Sequence, residues 1–289
     1  MRKKDIIFIY TLIIMELLIL INSKIIIGNV IFCSILYITK IFPSMFPSMV
    51  ISNMLINTNI KKIIPKHIKK IFYKVFNLSD DLTVLYILSM FCGSPTNAIL
   101  VNDYVNKGII KEDNIELILG ITSFINPLFI TGGIGIGVFN NIKIGFILLI
   151  MQYVSSLIKL FINKRKIINQ KSDYRMREDS AIINIKLSIN KSINACLSIF
   201  GIVIMFNILI CLINNIFHIN DNLMIIINSL VEITSGIVKL NNLNINYILK
   251  ILLAYLFINF QGLCIQMQSI SMIENKKIKY LKYLIFRII

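Results

Sequence analysis

The chain has 289 residues, 56% of them hydrophobic and 15% charged, against the ~25% charged residues of an ordinary soluble domain. Several apolar runs approach the ~20 residues needed to cross ~30 Å of hydrocarbon, which excludes a soluble globular fold and leads to an all-α polytopic membrane protein. The net charge of +16 calls for no nucleic acid, because the lysines cluster in short loops between apolar runs, as the positive-inside rule describes.

In chain order, Arg2-Lys3-Lys4 precedes an apolar run with no clear small-x-small cleavage site, so an uncleaved first span is expected. Clean spans are read at 6–21, 25–39, 82–101, 143–162, 193–214 and 223–240. Two further apolar stretches, 117–139 and 248–273, carry glycine or polar interruptions. Between the second and third spans stands Phe42-Pro43-Ser44-Met45-Phe46-Pro47-Ser48-Met49, a local duplication read as a bend into an interfacial helix. Segment 61–74 has six lysines and no acid, with apolar residues between them, the pattern of a basic amphipathic helix on an anionic leaflet.

Loop charge then orients the spans. Basic segments are the N-terminus, 61–74, the linker 164–177 with six basic residues and one acid, and the tail 276–287. Segment 103–116 has four acids and two lysines, and 215–222 has one Asp and no Lys or Arg. Six crossings put every basic segment inside and both acidic ones outside, provided 117–139 and 248–273 are re-entrant hairpins. Both termini are then cytoplasmic. The divisions are an N-terminal hairpin of spans at 1–40, a first half at 41–162, a basic linker at 163–192, a second half at 193–273 and a basic tail at 274–289.

The two halves repeat. A broken span with Gly93-Ser94-Pro95-Thr96-Asn97-Ala98 precedes a hairpin with Phe124-Ile125-Asn126, and a span with Glu232-Ile233-Thr234-Ser235-Gly236 precedes a hairpin with Phe257-Ile258-Asn259. Inverted repeats with discontinuous helices near the midplane are the architecture of many secondary transporters.

The polar residues inside these runs are the candidate site. Gly93, Ser94, Thr96 and Asn97 open a helix whose free amides favour an anion, the competing reading being a proline kink satisfied by Ser94. Asn126 and Asn259 either face a ligand from the hairpins or bond a neighbouring backbone as glue. Gln261, Gln266 and Gln268 are further polar candidates, Gln261 best placed beside Asn259, and Thr234 and Ser235 offer hydroxyls. Glu232 sits mid-span, where an uncompensated carboxylate costs ~2.5–3.5 kcal/mol or more, so it must be protonated, paired or facing a wet cavity. A coupling proton or cation would use it, as would a substrate amine. Glu16 lies in a run that looks peripheral. Cys33, Cys92, Cys196, Cys211 and Cys264 are isolated, His67 and His218 lie far apart, and Gly133, Gly135 and Gly137 lack dinucleotide-loop spacing. The reading therefore expects no enzyme, metal or cofactor.

Phe42-Pro43-Ser44 with Val50-Ile51-Ser52-Asn53-Met54-Leu55, Gly93-Ser94-Pro95-Thr96-Asn97-Ala98, Asn126-Pro127-Leu128-Phe129-Ile130, Glu232-Ile233-Thr234-Ser235-Gly236 and Gln261-Gly262-Leu263-Cys264 occur in one order. In this the chain resembles the YlbJ-type sporulation integral membrane proteins, which carry the nucleoside-recognition Gate domain. The resemblance covers most of 41–268. It implies a transporter-like fold related to the cores of concentrative nucleoside carriers, in the cell or outer forespore membrane of an endospore-forming bacterium. It also implies a role in delivering dipicolinate, a small anionic solute. The expected function is transport of such a metabolite. The alternatives are a scaffold for other sporulation membrane proteins and a nucleoside carrier. Ser-Pro-Thr-Asn-Ala stands where a more glycine-rich turn is expected, which leaves the ligand open.

Overall fold

The computed structural model describes residues 3–56, 58, 63–169, 181–274 and 277–288, and within them all regular structure is helical. Parts of the basic segments 61–74, 164–177 and 276–287 fall outside the described residues. Helix α1 (Lys3–Ile21) is followed by α2 (Ser23–Leu36), which runs through a π-helical segment (Tyr37–Ile41) into α3 (Phe42–Ile56). Next come α4 (Lys66–Phe76), α5 (Asp80–Cys92), α6 (Thr96–Asn106) and α7 (Ile115–Ile121). A second π-helical segment (Phe129–Ile136) leads to α8 (Ile142–Asn163). The remaining helices are α9 (Ala181–Phe217), α10 (Asp221–Val231), α11 (Ile233–Val238), α12 (Tyr247–Phe260), α13 (Gly262–Ser271) and α14 (Tyr280–Ile288).

Among the described residues four segments are long and apolar enough to cross a membrane: Ser23–Leu55, Ile142–Lys166, Asn184–Phe217 and Tyr247–Ser271. The first and third depart from the sequence reading. Pro43 and Pro47 do not end a span but sit inside one continuous helix. Pro43 falls in the first turn of α3, and the hydroxyls of Ser44 and Ser48 donate to Ile41 O and Met45 O at 2.8 Å each, meeting carbonyls near the prolines. The boundary expected at residue 40 therefore lies within a helix. So does the one at 192, because α9 begins at Ala181. Its 37 residues reach ~55 Å at 1.5 Å per residue, more than the hydrocarbon needs. The two long helices pack antiparallel: Asn29 Nδ2 donates to Asn207 O at 3.0 Å, Tyr37 OH to Cys196 O at 2.7 Å, and Asn53 Nδ2 to Ser192 Oγ at 3.1 Å.

The hairpins and broken spans exchange places relative to the sequence reading. Laid end to end, α5 and α6 would hold Asp81 and Tyr104 ~35 Å apart. Instead the Asp81 carboxylate is within electrostatic reach of Tyr104, and Leu78 shares a core with Ile109 and Ile110. Helices α5 and α6 thus form a hairpin with its tip at Gly93-Ser94-Pro95. Helix α11 likewise lies back on α10, so closely that a Cβ on Gly236 would collide with the Ser229 backbone.

Residues 115–136, by contrast, do not fold on themselves. They run antiparallel along α8 for its length. Ser156 Oγ donates to Ile121 O at 3.0 Å, Gln152 bonds both N–H and C=O of Ile125, and the Gly145 backbone lies against Thr131 and Gly135. Helices α12 and α13 are successive parts of one 25-residue apolar segment. The order long helix, hairpin, interrupted span thus occurs twice.

This exchange reverses the expected side of segment 103–116. Because α5–α6 turns back, that segment returns to the basic end. Asp103 pairs with Lys191 at 2.5 Å and Glu116 with Lys282 at 3.1 Å, while Asn114 hydrogen-bonds the backbone near Ile168. Asn22, Asn215 and the loop around Asn241 gather at the other end, where Asn215 Nδ2 donates to Asn22 Oδ1 at 2.5 Å and the Asn241 amide to Val138 O. Helix α4 is bent 98° from α5, with Lys66, Lys70 and Lys74 exposed and Phe72 and Phe76 packed on the core. Single cysteines placed at Asn106 and Asn169 in a cysteine-free background should therefore label from the same face, and one at Asn222 from the other. Labelling of Asn106 and Asn169 from opposite faces would contradict the hairpin.

Candidate functional site: interlocked helix interruptions and a central cavity

Each hairpin tip rests against the interruption of the following span. In the first half the Ser94 N–H donates to Phe124 O at 2.5 Å, and a Cβ on Gly93 would come 2.5 Å from Asn126 N. Gly93 has φ +70° as well, so both its space and its conformation demand glycine. In the second half the Gly262 Cα faces the tip carbonyl of Val231, to which a Cβ would approach at 3.1 Å. The freed backbone of each interruption is thereby covered by another interrupted helix, as membrane depth requires.

Between the two pairs lies a cavity of about 40 Å³, lined by Ser94, Asn126, Glu232, Thr234 and Gln268 and closed by Ile41, Ser44 and Met45 of the first long helix and Ile199 and Val203 of α9. It has room for a few waters. The sequence reading thus named five of its polar residues, Gln268 among them. Ser44 was missed as a ligand candidate, because its segment was read as a bend.

The site's polar groups are less free than the sequence suggested. The amides expected to attract an anion are engaged within the chain: Ser94 N–H as above, Asn97 N–H to Gly93 O at 3.0 Å and Ala98 N–H to Pro95 O at 3.0 Å. Ser94 Oγ and Thr96 Oγ1 are buried without a hydrogen-bond partner, while Asn97 Nδ2 donates to Thr122 Oγ1 at 3.3 Å. Asn126 is a structural brace. Its Nδ2 donates to Ser48 Oγ at 3.1 Å and Cys92 O at 3.2 Å, and its Oδ1 accepts from Leu128 N–H at 2.9 Å and Phe129 N–H at 3.4 Å. That is glue and a helix cap together.

Asn259 does not share this position. It lies within α12, donating to Tyr255 O at 3.0 Å and accepting from Ser155 Oγ at 2.9 Å, and it lines a separate pocket of about 10 Å³ with Lys159. The Phe-Ile-Asn likeness between the halves is therefore not a structural equivalence. Gln261 forms the second interruption with φ +62°, buried and with Oε1 unpartnered, but outside the central cavity.

Glu232 is 2% exposed and caps α11: Oε1 accepts from Thr234 N–H at 3.0 Å and from the Thr234 hydroxyl, and Oε2 accepts from Ser235 N–H at 2.7 Å. A carboxylate at a helix N-terminus is stabilised by these donors and by the dipole. It is both hydrogen-bonded and cavity-facing, two of the conditions set for it. Ser235 turns away, toward a polar cavity of about 140 Å³ with Asn29, Asn207, Asn214, Asn228 and Lys239. Glu16 is exposed on α1 and lines none of these cavities.

Two further groups hold the interruptions open. Gln152 spans both polar groups of Ile125, with Nε2 to O at 3.2 Å and N–H to Oε1 at 2.9 Å. Arg287, 1% exposed, donates to Asn259 O at 3.0 Å and Phe260 O at 3.1 Å, capping the carbonyl end of α12. The signal for Gln152 was its place in a helical polar stripe with Ser156, Lys159 and Asn163. Among the described residues no group of three His, Cys, Asp or Glu converges on a metal-sized site.

Comparison with family models, with curated proteins and with solved structures finds no match. Gly93→Ala should strip the first tip of its seat against Asn126, costing ~2 kcal/mol or more from overpacking and unfavourable φ together. Thermal unfolding of the purified variant in detergent measures this, and a midpoint equal to wild type would refute the interlock.

Proposed function

We propose that this chain is a sporulation-associated integral membrane transporter-like protein that moves a small anionic metabolite, dipicolinate, across the membrane around the forespore. The single observation that carries a transport reading is the meeting of three helix interruptions around one buried, partly polar cavity, with the fourth, at Gln261-Gly262, packed against the second hairpin tip. Interrupted helices at membrane depth are retained where they line a solute path, and inverted repeats bring such interruptions together at the midplane. Repetition of long helix, hairpin and interrupted span, with the two long helices antiparallel, supports an inverted repeat. The sequence likeness to the Gate-containing sporulation proteins supplies the membrane and the solute.

In this reading the chain makes six crossings, by α1, α2–α3, residues 115–136, α8, α9 and α12–α13. The hairpins α5–α6 and α10–α11 are re-entrant from opposite faces. The basic end, holding both termini, is cytoplasmic, in agreement with the lysine distribution. Glu232 is the coupling group: a buried carboxylate beside a solute cavity takes up a proton or cation when the anion enters. The 40 Å³ cavity is the occluded arrangement, too small for the solute until a hairpin withdraws.

Uptake of labelled dipicolinate into proteoliposomes tests this, with labelled uridine in parallel. Wild type should accumulate dipicolinate, and Glu232→Gln should insert normally yet lose at least about tenfold in uptake, the equivalent of ~1.4 kcal/mol. Uptake of uridine alone would make the chain a nucleoside carrier. Uptake of neither would leave the scaffold.

A further inference from the structure

Beside the central cavity lies a second, larger crevice of about 480 Å³, opening laterally between α2, the second π segment and the tip of the second hairpin. It is continuous with the cavity, since Ser44, Phe129 and Thr234 line both. Its walls are apolar, from Phe32, Ile35 and Leu36 on one side to Leu128 and Phe129 on the other. Gly132, Gly133 and Gly137 leave the second wall without side chains. Small-molecule sites have this make-up: roughly 300–1,000 Å³, mostly apolar, with a few placed polar groups.

The crevice also holds Lys40. This lysine is 17 residues into the helix that begins at Ser23 and 16 before its end at Ile56, so it sits ~25 Å from either end. It is next to Ile41 and one turn from Ser44, both cavity residues, and so lies at the depth of the interruptions around that cavity. It is exposed, and among the described residues it has no carboxylate partner. A lysine at the middle of a span costs ~2.5–3.5 kcal/mol or more unless it is paired or faces a polar space, and such residues mark solute paths. Thr39 and Ser44 lie on the same wall, and Thr234 is the far wall's hydroxyl.

We propose that this crevice is the substrate's binding site, that Lys40 is its anion-binding group, and that the substrate is an organic anion with an apolar body. The body fills the apolar, glycine-walled space while its carboxylate pairs with Lys40; the Thr39 and Ser44 hydroxyls donate to Ile35 O and Ile41 O and reach the anion only by leaving those carbonyls. Thr234, whose hydroxyl donates to Glu232, lines the far wall at the second hairpin tip, so a filled crevice bears on that tip. The inference rests on the transport reading for its purpose but not for its test, because binding is measured without translocation.

The probe is labelled benzoate, bound at equilibrium to the full chain in nanodiscs of neutral phosphatidylcholine. Binding should be saturable and unaffected by the neutral isostere benzamide. It should weaken tenfold or more in Lys40→Gln, the loss of one charge-assisted pair, and persist in Lys40→Arg. In a cysteine-free background, Lys40→Cys should react with an anionic thiosulfonate reagent and be protected by the same benzoate, a readout independent of the stability of Lys40→Gln. Unchanged benzoate affinity in Lys40→Gln would overturn the proposal. So would the absence of benzoate binding alongside Lys40-dependent retention of phosphatidylglycerol, which would make the crevice a lipid site. Lys40-dependent binding without uptake would refute transport but leave the binding site standing. Uptake undiminished in Lys40→Gln would do the reverse.

Discussion

An interrupted helix inside a bilayer leaves amide and carbonyl groups that water cannot reach, each costing several kcal/mol if unmet. In this protein those groups are met by other interruptions. The Ser94 amide takes the Phe124 carbonyl, Gln152 takes both polar groups of Ile125, and Arg287 takes the carbonyl end of α12. The glycines at 93 and 262 are where the backbones come closest, and at Gly93 any Cβ would collide with the Asn126 backbone. The cavity lies where three of these ends meet at one depth. Its polar lining follows from the same requirement, since a tip that cannot be hydrated has to be capped from within.

The basic end is held by weaker means. Lys191–Asp103 and Lys282–Glu116 are partly exposed pairs of the kind worth ~0–1 kcal/mol each, and salt screens them. Their value here is positional, since they tie the loop after the first hairpin to α9 and to α14. The opposite end uses asparagine contacts instead, Asn215 to Asn22 and Asn241 to Val138. The asparagine contacts of that end are joined by Lys250, whose ammonium donates to Asn241 O at 2.8 Å.

Much of this was legible in sequence and some was not, for identifiable reasons. The places where helices break are written in Gly93-Ser94-Pro95, Asn126-Pro127, Glu232 and Gln261-Gly262, because proline, glycine and a buried carboxylate each disrupt an apolar helix. Whether the chain turns back at a break or continues is not written there. A crossing and a hairpin each spend about 20 apolar residues with one interruption in the middle, so hydropathy treats them alike. Charge could have decided it, but the four acids of 103–116 were weighed as if they repelled the cytoplasm. Acidic residues contribute little to orientation, and here two of the four, Asp103 and Glu116, pair with Lys191 and Lys282, which are remote in sequence. The Phe-Ile-Asn match misled in the same way, because Asn126 lies in a break between helices while Asn259 lies inside α12. Lys40 escaped notice because Pro43 seemed to end its span, which put the lysine at an interface. Once the helix runs on to Ile56, the same residue lies at mid-depth.

The π-helical segment at Tyr37–Ile41 has a consequence for everything beyond it. A π turn holds one residue more than the α repeat accommodates, so the helix downstream is rotated by roughly 100° against the phase set upstream. Met45 and Met49 fall closer to the core-facing line in the rotated phase. The helix behaves as two registers joined by a one-residue dislocation, with Lys40 inside it. The face that Lys40 shows to the crevice is therefore set by this phase shift and not by the course of the helix as a body.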